Sequence, residues 1–338
     1  MDHLDRRRDD RAYDAEASLR MNLSGKTVAV LGAGGSGFAA ASLALHCGAS
    51  VAAFDSGDPA KLALAKEKFA EKGIVLTCGE AALSPSAAFD LAVISPGIDA
   101  ATPIGVAFQK SYRELIGVVD FADRVSDVQV IAITGTYGIT TTTSLIDHML
   151  RGAGLRSVAA GNIGKAYSEV VLEKQPLDWI VLEVSSFQLE TIVNFAPRIA
   201  VWMNFAPDHM DRYRSLEEYR AAKLRLFERA DEETLVISKW EDQFSFPHHT
   251  TFSAFSDSAS FSYSKGKIVD EATKRSFDFQ KGNLHGRHNA ENVMVALAVA
   301  DELGLSWDDV GGSLVEFSPQ PHRCEKVADI GGVVFITE

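Results

Sequence analysis

Cysteine is scarce in this chain of 338 residues: Cys47, Cys78 and Cys324 are scattered, with no metal-ligand spacing and no even framework. That excludes a disulfide-stapled scaffold and a cysteine-based zinc site, and it reads as reduced thiols in a cytosolic protein. Long apolar runs are lacking as well. None approaches the roughly 18 residues of a membrane-spanning helix, and the N-terminus has no apolar signal-peptide core. Positive charge is in deficit, with 33 Lys and Arg against 46 Asp and Glu, a net charge of −13. A field of that sign argues against general binding to nucleic acid or to a membrane surface. Any phosphorylated ligand then requires local basic residues or bound metal.

What is present suffices for full cores: 46% of residues are hydrophobic and 23% charged, ordinary for a globular protein. The length points to two domains, or to three small ones. Residues 1–20 are almost wholly polar and read as a disordered leader. From Lys26 the pattern is strand (Thr27–Leu31), glycine turn, helix (Phe38–Cys47), strand (Ser50–Phe54), helix (Ala60–Lys72) and strand (Leu91–Ser95). A second βα series starts at Val128. It comprises a strand to Thr134, a helix over 141–151, a strand near Ser157–Ala160, a helix near Ala166–Glu173, and strands Trp179–Val184 and Ile199–Asn204. This alternation implies parallel sheets covered by helices. Ser215-Leu216-Glu217-Glu218 reads as a capping box opening a helix to about Arg229. Residues 244–283 alternate like β hairpins, and Asn289–Leu303 is an amphipathic helix. The expected organisation is a Rossmann-like α/β domain over 21–125, a P-loop-type α/β domain with a predominantly parallel sheet over 126–319, and the start of a further domain over 320–338. The terminal strand signal, 331–338, either pairs within the second domain or belongs to a domain whose remainder is absent.

One stretch organises the rest. The apolar β-branched run ending at Thr134 enters Gly135-Thr136-Tyr137-Gly138-Ile139-Thr140-Thr141, and a helical pattern follows. Strand, glycine loop and helix form a phosphate-binding layout in which backbone N–H groups face an anion. Such loops carry a lysine after the second glycine and then a Ser or Thr for Mg²⁺. Thr140 is present; the lysine position holds Ile139. A second glycine motif, Gly32-Ala33-Gly34-Gly35-Ser36-Gly37, also follows a strand and precedes a helix, with Asp55 at the end of the next strand. It fits dinucleotide or other diphosphate binding; the less favoured alternative is glycines needed only for tight helix–sheet packing.

Other candidates sit at strand ends. Glu183, after Ile180-Val181-Leu182, is placed for Mg²⁺. His209, with Asp208 beside it, is a candidate metal ligand. Lys223 falls on an apolar stripe with Leu216, Tyr219, Leu226 and Phe227, either snorkelling or held as a functional amine. Asn289 and Asn292 share one face at a helix start, as cap or as readers of a purine edge. Arg323 offers a guanidinium for phosphate. Arg220 and Arg225 read as solvated charges, and Lys165, after Gly161-Asn162-Ile163-Gly164, is a candidate replacement for the missing loop ammonium.

These stretches resemble the ATP-dependent Mur ligases of peptidoglycan synthesis. The resemblance rests on Ser95-Pro96-Gly97-Ile98, Gly161 to Gly164, Leu182 to Glu190, Asn204 to Arg212, Ala221-Ala222-Lys223, His288-Asn289 with Asn292, and Pro321-His322-Arg323. The Ser-Ser-Phe-Gln version favours the D-glutamate-adding branch. The resemblance implies that Gly35 and Ser36 meet the diphosphate of UDP-N-acetylmuramoyl-L-alanine, with Asp55 and Ser56 near uracil. Asn162, Ser185 and Gln188 would contact the muramoyl-alanine portion. Gly135, Thr136, Gly138, Thr140, Thr141, Asn289, Asn292 and Arg323 would hold ATP. Thr140 and Glu183 would bind one Mg²⁺, and His209 with a carbamoylated Lys223 a second. The reaction implied is acyl-phosphate formation followed by attack of the D-glutamate amine, in a cytoplasmic monomer that acts in cell-wall biogenesis, division and cell shape. The sequence departs from the family at Tyr137 and Ile139, where the family has Asn and Lys, and in ending where a third, D-glutamate-binding domain would follow. Impaired catalysis is therefore expected, with a non-catalytic module that binds the UDP-linked precursor as the alternative. A nicotinamide oxidoreductase rests on the Gly32–Gly37 motif alone.

Overall fold

The computed structural model describes residues 21–108, 111–318, 325–330 and 333–337. The first part is a doubly wound unit. Its elements are β1 (Thr27–Leu31), α1 (Gly35–His46), β2 (Ser50–Asp55), α2 (Ala63–Glu71), β3 (Val75–Cys78), β4 (Leu91–Ile94), α3 (Pro103–Phe108), β5 (Leu115–Gly117) and α4 (Val118–Val125). The five strands are parallel, in the order β3-β2-β1-β4-β5. The chain leaves β1 first towards β2 and later returns on its other side as β4. The crevice beyond the ends of β1 and β4 is thus a topological switch point, where such sheets bind ligands.

The second part follows with β6 (Gln129–Thr134), α5 (Ile139–Gly152), β7 (Ser157–Gly161), α6 (Tyr167–Leu172), β8 (Trp179–Glu183), α7 (Ser186–Leu189), β9 (Ile199–Trp202), α8 (Leu216–Leu224) and β10 (Leu235–Lys239). After these come β11 (His249–Ser253), β12 (Phe261–Ser264), β13 (Lys267–Asp270), β14 (Ser276–Asp278), α9 (Arg287–Glu302) and α10 (Trp307–Glu316). Its sheet runs β14-β13-β12-β11-β10-β9-β6-β8-β7. β6 lies between β8 and β9, parallel to both, and from Val130 on it is buried throughout. That double burial is why its sequence is a continuous apolar run rather than an alternating one.

One expectation about strands needs correction, and one of two open alternatives is removed. The 244–283 region is not all hairpin: β11 pairs with β12 in parallel, and only β12-β13-β14 run antiparallel. The terminal strand does not join the second sheet. As β16 (Val333–Thr337) it pairs antiparallel with β15 (Glu325–Ile330), in a separate two-stranded sheet.

One apolar core crosses both parts. It includes Val28, Val30 and Leu43 from the first sheet unit, Ile180, Leu182 and Trp202 from the second, and Val119 and Phe121 of α4 between them. α4 packs on α6 and α7, and α1 packs on α6. The seam has its own polar fastening. Asp120, 1% exposed, accepts hydrogen bonds from the N–H groups of Val193 and Asn194, and Gly117 N–H donates to the Thr191 carbonyl at 2.9 Å. The seam is tight at Gly117, where a Cβ would lie 2.3 Å from Thr191 Oγ1 and 3.2 Å from the Thr191 carbonyl oxygen.

Candidate functional site

The glycine motif after β1 divides by purpose. Gly32 (φ +108°) and Gly37 are packing residues: a Cβ on Gly37 would sit 1.9 Å from the Gly32 carbonyl oxygen. A Cβ on Gly34 or Gly35 would meet nothing within 4 Å. The start of α1 is therefore open at Gly35, with Ser36 half-buried beside it and no side chain capping the helix. Asp55 braces this turn: Oδ2 accepts the Ala33 N–H and Oδ1 the Gly57 N–H, both at 2.8 Å. Both carboxylate oxygens are so engaged, while Ser56 is exposed next to it.

The loop after β6 is held from outside. Gly138, in the left-handed region at φ +78°, caps α5 without a side-chain partner, which leaves the helix N-terminal N–H groups available to an anion. Asn204, just past β9, accepts the N–H groups of Thr136 (3.2 Å) and Tyr137 (2.9 Å) at Oδ1, and its Nδ2 donates to the Tyr137 carbonyl (2.9 Å). The Thr136 hydroxyl bridges Ala206, donating to its carbonyl and accepting its N–H. Ile139 does not point an apolar side chain into water. It is partly buried against the core that contains Met203 and Met294. Tyr137 stands 62% exposed.

Glu183, at the end of β8, is 2% exposed. It accepts a hydrogen bond from Thr140 Oγ1 at Oε2 and one from Asn162 Nδ2 at Oε1, both at 2.8 Å. The parallel β6–β8 register sets this meeting of loop and carboxylate. Thr141 is half-buried on the first turn of α5. One turn deeper, the Thr142 hydroxyl donates to Asn292 Oδ1 (3.1 Å), Asn292 Nδ2 to Asn289 Oδ1 (3.0 Å), and Asn289 Nδ2 to the His285 carbonyl (2.9 Å). The two asparagines thus lie on one face of α9, as their spacing suggested. They are buried at 4% and 3% and run up to the loop: Asn292 Oδ1 is 2.9 Å from a Cβ position on Gly138. Neither is the helix cap, which is Gly286.

Lys223 is 3% exposed. Tyr219, Leu226 and Phe227 are buried with it, while Leu216 is at the surface. The ammonium does not snorkel. Nζ donates to the Gly135 carbonyl at 2.5 Å and lies 4.9 Å from the centre of the Tyr219 ring. Burial pushes its pKa down to about 8, against the opposing pull of Asp208 and Glu183. The sign of the pH effect follows. Between about 8 and the ordinary 10.5 the unfolded chain binds more protons than the folded one, so this group's contribution to stability rises with pH across that window. Below it both states are charged and the full desolvation cost remains. Denaturation of wild type and Lys223→Met between about pH 7.5 and 9.5 should show the wild type gaining on the order of 2 kcal/mol relative to the variant; parallel curves would contradict the low pKa.

His209 occupies the left-handed region at φ +54°, a costly position for a non-glycine residue. The Asp208 carboxylate accepts its N–H (2.8 Å), and the N–H groups of Arg212 and Tyr213 close back onto its carbonyl. Its ring packs against Phe187 (4.9 Å) and edge-on to Tyr219 (5.9 Å). Tyr219 therefore separates and touches both His209 and Lys223.

Several expectations are revised. Ser185 and Gln188 form the capping box of α7: the Ser185 N–H and hydroxyl meet Gln188 Oε1, and Ser185 Oγ accepts the Gln188 N–H. Gln188 nevertheless lines a small cavity, about large enough for one water, between the two parts with Ser36, Val118, Ala166 and Ser168. The Ser215 box is half formed, since Ser215 accepts the Glu218 N–H but Glu218 turns to the Arg214 N–H. Lys165 does not supply the loop's missing charge; its ammonium is paired with Glu173 on the protein surface. Arg225 is not simply solvated, because it donates to the Ile192 carbonyl at 2.5 Å. Arg220 lies over the Phe244 ring. Arg323 lies outside the described residues. No role is legible in sequence for Asn204, after β9, or for Thr142, inside α5, because a lone polar residue carries no pattern until its partner, here 67 or 150 residues away, is known.

Comparison with known proteins agrees with this architecture. The Mur ligase middle domain family matches residues 133–300. UDP-N-acetylmuramoylalanine–D-glutamate ligases of Caldanaerobacter subterraneus subsp. tengcongensis and Acidobacterium capsulatum are 34% and 35% identical, over 94% of this chain and 72% of each relative. Among solved structures, a UDP-N-acetylmuramate:L-alanyl-γ-D-glutamyl-meso-diaminopimelate ligase from Neisseria meningitides superposes with a TM-score of 0.59 at 18% identity, over 87% of this chain and 98% of that one. UDP-N-acetylmuramate–alanine ligase from Thermotoga maritima gives 0.54 at 20% identity, over 93% and 74%. The structural likenesses establish the shared α/β fold, and the sequence relatives establish the kinship: the chain belongs to the Mur ligase family and is similar to its UDP-N-acetylmuramoylalanine–D-glutamate ligases.

Proposed function

We propose that this chain binds UDP-N-acetylmuramoyl-L-alanine across the crevice between its two sheets, and that its phosphate loop handles ATP poorly. The observation that carries the reading is the Thr140–Glu183–Asn162 cluster at the phosphate loop, together with the uncapped, open N-terminus of α1 in the first unit. In the reaction of such a ligase, an oxygen of the alanine carboxylate attacks the terminal phosphorus of ATP, and the bond to ADP breaks. The D-glutamate nitrogen then attacks the acyl carbon, phosphate leaves, and the amine loses a proton. On this reading the alanine carboxylate lies between Asn162 and the loop, and Gly35, Ser36, Asp55 and Ser56 hold the UDP end. Gly138, Thr140 and Thr141 face the ATP phosphates, Gly135 and Thr136 shape the loop behind them, and Asn289 and Asn292 set the wall on the nucleotide side.

The oxygen donors present suit Mg²⁺, which is usually held by one or two carboxylates together with substrate phosphates. Among the described residues no cluster of three or more His, Cys, Asp and Glu side chains forms a site by itself. Thr140 and Glu183 would hold one ion, and His209 with carbamoylated Lys223 a second. When bound, the ions neutralise phosphate charge. A lysine of pKa about 8 supplies the uncharged amine that carbamoylation needs near neutral pH. Glu183→Gln is expected to weaken Mn²⁺-dependent ADP binding at least about tenfold while leaving UDP binding unchanged; an equal loss of both would instead mean that Glu183 only supports the fold.

The packing of the partly buried Ile139 against the apolar core favours keeping a second reading, a non-catalytic module that binds the UDP-linked precursor. Hydroxylamine traps acyl phosphates as hydroxamates without needing D-glutamate. Slow, ATP-dependent hydroxamate formation from UDP-N-acetylmuramoyl-L-alanine marks an impaired ligase; saturable precursor binding with no hydroxamate marks the binding module; neither result sinks both readings but the absence of precursor binding does. No helix of the described residues is long and apolar enough to cross a membrane, in keeping with work on a soluble nucleotide precursor in the cytoplasm.

A further inference from the structure

The loop's first three residues are all fixed by groups outside it. The Gly135 carbonyl accepts from Lys223, Thr136 is laced to Ala206, and Tyr137 is gripped at both its N–H and its carbonyl by the single side chain of Asn204. The grip on the carbonyl has a directional consequence. A trans peptide is planar, with its C=O and N–H pointing in opposite directions. Holding the Tyr137 carbonyl toward Asn204 Nδ2 therefore turns the next N–H, that of Gly138, away from Asn204. Gly138 has the left-handed backbone (φ +78°) that this orientation of the turn uses. Without the grip, the peptide between Tyr137 and Gly138 is free to rotate as a unit. In the rotated state it presents a carbonyl oxygen where the anion needs a donor.

We infer that Asn204 is the positioning residue of the phosphate loop: its carboxamide fixes the Tyr137–Gly138 peptide so that the N–H groups from Gly138 onward, not those of Thr136 and Tyr137, receive the nucleotide phosphate. The inference rests on the nucleotide-binding reading of the loop and adds to it a residue that touches no ligand. It also divides the loop's donors. Those of Thr136 and Tyr137 are consumed internally, and α5 supplies the rest. In a loop that lacks an ammonium at Ile139, and whose neighbouring Lys223 ammonium is taken up by the Gly135 carbonyl, the backbone donors are the groups left to meet a phosphate, so their orientation matters more than it would beside a loop lysine. Asn204 is well placed to hold them. It follows β9, whose pairing with β6 reaches Thr134 opposite Trp202, and the Met203 N–H extends that ladder to the Thr134 carbonyl at 2.9 Å.

The test compares Asn204→Ala with wild type by amide hydrogen exchange and by calorimetric titration with MgATP and with UDP, each also in an Ile139→Lys background. Expected are slow exchange at Thr136 and Tyr137 in the nucleotide-free wild type and, in Asn204→Ala, loss of protection at Tyr137, while the Thr136 N–H keeps its bond to the backbone carbonyl at position 204 (3.2 Å). MgATP affinity should fall about tenfold, the scale of one or two lost donor contacts, and UDP affinity should not change. A role confined to overall stability would move both ligands together. Unchanged or tighter MgATP binding in Asn204→Ala would overturn the inference, since it would make Asn204 a neutral cap or a plug. Fast exchange at Tyr137 in the wild type would overturn it too. Failure of every background, Ile139→Lys included, to bind MgATP would strike the nucleotide reading itself and leave Asn204 nothing to position, even with the amides protected.

Discussion

Ile139→Lys is expected to raise MgATP affinity by about 10- to 150-fold and to speed ATP-dependent acyl-phosphate formation by at least as much. The estimate comes from one charge-assisted hydrogen bond, roughly 1.5–3 kcal/mol, at about 1.4 kcal/mol per decade. Ile139 is the first residue of α5, directly after the left-handed Gly138, so a longer side chain there starts beside the phosphate donors. The lysine stem can retain much of the isoleucine's apolar contact while the ammonium extends to the loop mouth. The chain's net charge of −13 makes an added cation more valuable to an incoming polyanion than it would be in a neutral protein. Pre-organised cations in phosphoryl transfer reach about 10³–10⁵ in rate, so the affinity figure is a lower bound for catalysis. Calorimetry and hydroxamate formation read the two effects separately. If both stay at wild-type levels, the loop's deficit lies elsewhere, with the exposed Tyr137 as the alternative cause.

The second large effect separates packing from binding within a single motif. Gly37→Ala is expected to cost about 3 kcal/mol or more, enough to leave little folded protein at moderate urea concentrations. Its Cβ would lie 1.9 Å from the Gly32 carbonyl oxygen and 2.9 Å from Ser95 Oγ. The first neighbour is backbone and cannot rotate away. Gly35→Ala is expected to be neutral to slightly stabilising, because the new Cβ meets nothing within 4 Å and alanine is the better helix former. It should still weaken UDP binding about tenfold or more, by occupying the space through which a diphosphate approaches the α1 N-terminus. Urea denaturation and UDP titration of both variants check this. A stable Gly37→Ala protein, or a Gly35→Ala protein with full UDP affinity, would mean that the motif's division has been misassigned.

Much of this architecture is legible in local pattern. β1 coincides with its expected bounds, and the β6–loop–α5 unit declares itself through a buried β-branched run, two glycines and a helical stripe. Lys223 stood out because a cation on an apolar stripe is a local anomaly. Its partner did not, since the Gly135 carbonyl is 88 residues away. The parallel β11–β12 pair was misread as a hairpin for a physical reason. Parallel neighbours normally need a crossover of about a dozen residues or more, whereas here a short turn suffices because the ladder holds only two residue pairs, Phe252 with Phe261 and Ser253 with Ser262. β3 was missed because Val75 is 70% exposed on an edge strand of four residues, which leaves little periodicity to read. Gln188 and Ser185 were legible as a motif but not as a helix cap, because the same Ser-x-x-Gln spacing suits a capping box as well as a ligand contact.

The most direct test of the whole account is a pair of calorimetric titrations of the wild-type chain, one with UDP-N-acetylmuramoyl-L-alanine and one with MgATP. The account requires saturable binding of the UDP-linked precursor at one site, displaced by UDP, with MgATP binding far weaker until Ile139→Lys is introduced. Absence of precursor binding, or tight MgATP binding by the unaltered Ile139 loop, would contradict it.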